Sequence, residues 1–166
     1  MKRNIFVVFI FNLTITFIPL SSAKAQDLRK FVINPVTTNV IGINITSKRN
    51  EIFGILGKPK SISNHYSELT DSPTMTLKYK GIEILIINES IHGLKCSDNQ
   101  CKTNLGIAVG DTKTEVIKIY GNGNPPYDLR GKDSLSYPFI GLDSYLIFHF
   151  EHGRVVEIEY FVDFAW

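Results

Sequence analysis

The chain has 166 residues, of which 18 are Lys or Arg, 16 are Asp or Glu, and 43% are hydrophobic. That balance excludes a disordered polyelectrolyte and suits one globular domain, or two small and closely packed halves. Three of the 18 bases (Lys2, Arg3 and Lys24) fall in the first 25 residues, which carry no acid, so the other 141 residues hold 15 bases against 16 acids and no basic field remains to attract nucleic acid or an anionic membrane.

Residues 1–25 read as a signal peptide: a basic start, a mostly apolar run from Ile5 to Leu20, and the small-x-small sequence Ala23-Lys24-Ala25. The apolar run is short for a membrane span and no second one follows, so export to the periplasm or medium is expected, without a membrane anchor. Residues 26–38 are expected to form an N-terminal tail.

From residue 39 the chain resembles itself. Residues 39–57 fall on 103–121 without a gap, placing Ile43-Asn44-Ile45 on Ile107-Ala108-Val109 and the segment ending in Gly57 on the one ending in Gly121. A period of this length predicts two units, 39–102 and 103–166. The first opens with a helix whose stripe is Ile52, Phe53, Ile55 and Leu56, ending at Gly57. Lys48 stands where the cap belongs, so either Ser47 caps one residue early or the cap is weak. A polar loop from Lys58 to about Thr74 follows, then strands at Thr76–Tyr79, Glu83–Asn88 and Ser90–Cys96.

Cys96 and Cys101 are the two cysteines. Their spacing is not that of a C-x-x-C redox pair, and His92 alone is too little to complete a zinc site with them. In an exported chain they are expected to form a disulfide, which by chain entropy stabilises so short a loop by roughly 2 kcal/mol.

The second unit opens on the capping box Thr112-Lys113-Thr114-Glu115, with Val116, Ile117, Ile119 and Tyr120 as the helical stripe and Gly121 as the terminator. A loop from Asn122 to about Ser134 leads to a hairpin of Tyr145–Glu151 with Arg154–Phe161, turning at His152-Gly153. The expected fold is therefore α+β: two tandem helix-plus-antiparallel-sheet repeats forming one continuous or paired sheet, with the helices on one face.

With a two-residue turn and no bulge, Phe150 faces Val155, Phe148 faces Glu157, and Leu146 faces Glu159. Tyr145, Ile147 and His149 would then form the core face with Val156, Ile158 and Tyr160. The other face carries Leu146, Phe148, Phe150 and Phe161 amid Glu157 and Glu159. Aromatics ringed by carboxylates suit a protein-contact surface, and the alternative is a face covered by the tail or the other unit. A one-residue slip would exchange the two faces.

Gly106-Ile107-Ala108-Val109-Gly110-Asp111-Thr112, followed by Glu115-Val116 and Tyr120-Gly121, resembles the opening of a repeat in the β-lactamase inhibitor protein-like superfamily, whose helix-and-sheet unit the small outer-membrane assembly lipoproteins share. Phe148-His149-Phe150-Glu151-His152-Gly153-Arg154-Val155-Val156-Glu157-Ile158 looks like its last hairpin. The resemblance implies tandem units forming a concave sheet that grips another protein. The first unit departs from it, with Thr46-Ser47-Lys48 in place of Gly-Asp-Thr, and no lipobox cysteine is present.

Candidate chemistry is sparse. His149 and His152 are three apart on an expected strand and diverge, so no metal site is expected. Ser144, His149 and Asp143 could be assembled into a triad, but no nucleophile elbow accompanies them. Gly121-Asn122-Gly123 follows a helix and lacks a following Lys-Ser/Thr, so it is no phosphate loop. No catalytic residue, metal or cofactor is expected. The expected function is an exported module that occludes another protein, an enzyme or toxin, as an inhibitor or immunity-type partner, with envelope assembly as the alternative. Phe148, Phe150, Glu157, Glu159 and Phe161 are the expected contacts, with Tyr66 and Tyr127 from the loops.

Overall fold

A computed structural model of the chain describes residues 32–68, 71–124 and 133–162. The expected signal peptide and Tyr127 lie outside them. Helix α1 (Arg49–Leu56) precedes strands β1 (Ser61–Ser67), β2 (Ser72–Lys78), β3 (Ile82–Ile87) and β4 (Ser90–Cys96); helix α2 (Lys113–Tyr120) precedes β5 (Asp133–Pro138), β6 (Ser144–Glu151) and β7 (Arg154–Val162). All seven strands form one antiparallel sheet in the order β1-β2-β3-β4-β7-β6-β5.

This corrects the expected fold class. Among the described residues the fold is an all-β-like single sheet with two short helices, not an α+β tandem of helix-plus-sheet repeats. The likeness of 39–57 to 103–121 covers the helices and the turns before them. Four strands follow α1 and three follow α2. An eight-residue helix has little stability of its own, so both helices depend on the sheet they lie against, through Ile52 of α1 and Val116 and Tyr120 of α2.

The helix ends follow from their residues. In α2 the Thr112 Oγ1 accepts from the Glu115 N–H at 3.3 Å, and a Glu115 carboxylate oxygen accepts from the Thr112 N–H at 2.8 Å. In α1 Lys48 is the N-cap; Glu51 accepts its N–H at 2.9 Å, while Ser47 is hydrogen-bonded to Asn44 and does not cap.

The core lies between the helices and one sheet face. It gathers Leu77, Ile84, Leu94, Tyr137, Leu146, Phe148, Ile158 and Tyr160 from the strands, with Val40 and Ile43 from the turn before α1. Tyr120, Tyr137 and Phe148 make an aromatic triangle with centroids 5.1–5.9 Å apart. Two of the buried hydroxyls here are satisfied: Tyr137 donates to the Gly121 carbonyl at 2.8 Å, and Tyr160 Oη lies 3.1 Å from the Ile43 carbonyl.

Cys96 and Cys101 are bonded and fully buried. The loop they close lies on the β2–β3 turn, where the Ser97 N–H donates to the Gly81 carbonyl at 2.8 Å. Gly81 has φ +64°, and a Cβ there would sit 2.8 Å from Asp98 Cβ and 2.9 Å from its backbone nitrogen. Gly81→Ala therefore combines a left-handed backbone with a clash against a loop that the disulfide holds in place. It should cost about 2 kcal/mol or more in urea unfolding; an unchanged midpoint would show that the two turns can part freely.

Candidate functional site

The hairpin β6–β7 turns at His152 and Gly153, both at positive φ, as the sequence predicts. Its register then departs from the expected one. Phe150 pairs with Val155, but His149 pairs with Glu157 and Phe148 with Ile158, leaving Val156 opposite no residue of β6. This is a β-bulge, an extra residue on one strand that shifts every pair beyond it. The Val155 backbone is bonded to the segment before α2: its N–H donates to the Asp111 carbonyl and its carbonyl accepts from Gly110, both at 2.8 Å.

The bulge divides the expected contact set. Phe148 and Phe150 are 0% and 4% exposed and belong to the core, with the Lys113 ammonium 5.3 Å above the Phe150 ring. They are not on an open face, which corrects the sequence reading of both. Glu157, Glu159 and Phe161 lie on the face away from the helices. Phe161 is exposed and Glu157 half-buried, whereas Glu159 is only 7% exposed. Tyr66, 61% exposed, lies on β1, which corrects the expected loop from Lys58 to about Thr74. The triad drawn from Ser144, His149 and Asp143 does not assemble.

His149 is instead enclosed by other groups. Its Nδ1 lies 3.0 Å from Ser134 Oγ on β5, and its Nε2 lies 2.6 Å from Glu159 Oε2 and 3.8 Å from Glu157 Oε1 on β7. Lys95 Nζ on β4 stands 3.5 Å from the other Glu159 oxygen. Glu159 ends a cross-strand row in which charge alternates, Lys78 to Glu83 to Lys95 to Glu159. Burial pushes the Glu159 pKa up, but the His149 hydrogen bond and the Lys95 charge outweigh it and hold the carboxyl below its ordinary value. The residue types are those of a hydrolase triad, but the placement differs. Ser134 is 6% exposed and sits within a strand, where its hydroxyl orients the imidazole and has little access to a substrate.

A second feature lies at the opposite end of the sheet. The β5 edge is covered: Asn124 exchanges both backbone hydrogen bonds with Ser136, and Ile33 bonds Pro138 and Ile140. The β1 edge has β2 on one side and, among the described residues, no strand on the other. Beside it is a hollow of about 540 Å³ whose lining includes Asn64, Tyr66, Met75, Ile86 and Glu89. Tyr66 Oη donates to Asp71 at 2.7 Å, and Arg49 of α1 meets Glu89 at the rim at 3.6 Å.

The sequence matches no described protein family and no curated protein. Among solved structures, an extracellular protein containing an SCP domain from Bacillus anthracis is similar at 12% identity and a TM-score of 0.49, over 72% of this chain; the chain spans 44% of that protein. A DUF4309 family protein from Bacillus subtilis is similar at 13% identity and a TM-score of 0.39, over 74% of this chain and 83% of its own. Likenesses this distant carry no conclusion about what the present chain does. Among the described residues no helix is long and apolar enough to cross a membrane.

Proposed function

We propose that the chain is an exported binding module that holds an extended segment of another protein along β1, in the manner of an inhibitor or immunity partner. The observation that carries this reading is the difference between the two edges of the sheet. Open edges invite pairing with foreign strands, and proteins usually cover them. Here one edge is covered by Ile33 and Asn124, and the other, among the described residues, runs bare for seven residues beside a hollow. A strand added there would gain main-chain hydrogen bonds from β1. Its alternate side chains would meet Asn64 and Tyr66 of β1, with Met75 of β2 behind them, which would supply selectivity. Ile62 and Tyr66 are 49% and 61% exposed on that strand, so an aromatic anchor is already at the surface. The buried disulfide fits an oxidising compartment and supports export.

The test is a photo-crosslinking residue placed at Ile62 and, as a control, at the exposed Ile119 of α2, in the native host. A single partner should be trapped at Ile62 and not at Ile119, and Tyr66→Ala should weaken its binding roughly 10- to 100-fold. Equal trapping at both sites, or none at Ile62, would overturn the reading. A soluble enzyme or toxin as partner would support occlusion; an outer-membrane component would instead indicate envelope assembly.

A further inference from the structure

The geometry points to a second site, on the face of the sheet away from the helices: His149 Nε2, Glu157 and Glu159 form a three-ligand pocket for a divalent transition-metal ion, best matched by Zn²⁺. The ligand atoms lie within 4.8 Å of one another. Zinc bonds of roughly 2.0–2.2 Å in a tetrahedron separate ligand atoms by about 3.4 Å. The Nε2 to Glu159 distance of 2.6 Å and the Nε2 to Glu157 distance of 3.8 Å bracket that value, so shifts under about 1 Å would admit the ion.

Three further observations support a metal at this place. Imidazole with carboxylates is a ligand set that suits zinc and its neighbours. The remaining ring nitrogen of His149 is held by Ser134 at 3.0 Å, an outer contact that fixes the ring as metal-bound histidines require. The charge is also unbalanced: two carboxylates converge on His149, and among the described residues the one lysine paired with them, Lys95, reaches Glu159, at 3.5 Å. A divalent ion would neutralise both. The His149 and Glu159 side chains are 5% and 9% exposed, while Glu157 is 27% exposed and provides the entry side and an open fourth position for water. To ligate through Nε2 the neutral imidazole carries its one proton on Nδ1, where Ser134 Oγ accepts it, and the Nε2 lone pair forms the bond to the metal, so no net proton is released by the ring.

The experiment measures Zn²⁺ binding to the full mature chain by calorimetry, with Co²⁺ absorption as a reporter of ligand geometry. One ion per chain is expected. Glu157→Gln, at a partly exposed position that should leave the fold intact by circular dichroism, should weaken binding by more than the roughly 10- to 100-fold expected for Ser134→Ala, which removes only the outer contact. Lys95→Gln should strengthen binding roughly fourfold, by removing a competing cation from Glu159. That increase is specific to ligation, because a structural ion-pair network would gain nothing from losing its lysine. Absence of binding at millimolar Zn²⁺ would overturn the inference. So would binding that Glu157→Gln leaves unchanged, which would place the ion on other histidines.

Discussion

Phe148→Ala is expected to destabilise the protein by about 3–5 kcal/mol, read as a fall in the urea midpoint at unchanged slope. The ring is fully buried and stands at one corner of the triangle with Tyr120 and Tyr137, at 5.1 and 5.9 Å. Removing it takes away apolar burial and two aromatic contacts together. It also leaves a cavity under α2, whose attachment to the sheet depends on Tyr120 and Val116. A surface anchor would behave in the opposite way, with stability near wild type and only partner binding lost. A loss under about 1 kcal/mol would therefore return Phe148 to the surface and refute the bulged register.

His149→Leu should cost about 3 kcal/mol at neutral pH, because it leaves Glu159 without its buried partner and beside Glu157. The pH dependence carries the more specific expectation. In the wild type, Glu159 has a depressed pKa. It therefore contributes stability above the carboxylate's unfolded value, and that stability is lost as pH falls through the folded one. In His149→Leu the imidazole is gone while burial and the Glu157 charge remain, so the Glu159 pKa should rise. The deficit of the variant relative to wild type should then shrink on acidification from pH 7 to 4. A deficit that stays constant over that range would mean that leucine is failing on shape, not on charge.

What could be read from the sequence was local. The α2 capping box, the glycine terminators, the His152-Gly153 turn, the cysteine pairing and the strand at Ser90–Cys96 all follow from a few adjacent residues. Strand β1 did not, because Ser61–Ser67 is almost wholly exposed and polar, and its one apolar partner set lies across β2. A strand made by pairing and not by burial leaves no hydrophobic alternation to read. The face assignment failed at one residue. Val156 looks like an ordinary member of an alternating strand, and nothing local marks it as the extra one; the hydrogen bonds beside it join its neighbour Val155 to Gly110 and Asp111, far away in the chain. From that slip follow both corrections at Phe148 and Phe150, and also the juxtaposition of His149 with Glu157, which a regular hairpin would have prevented. The expected tandem architecture fails for a related reason: the gapless similarity that suggests it lies in the helices and their turns, and strand count and pairing are decided across the sheet.

The strand order also sets when the molecule can be completed. β4 lies at the middle of the sheet, yet its second neighbour is β7, made last of all the strands. Until Phe161 and Tyr160 reach Gly93 and Leu94, the first four strands present a ragged flank in the place where the finished protein is most enclosed. Such a topology folds slowly and tolerates interruption poorly.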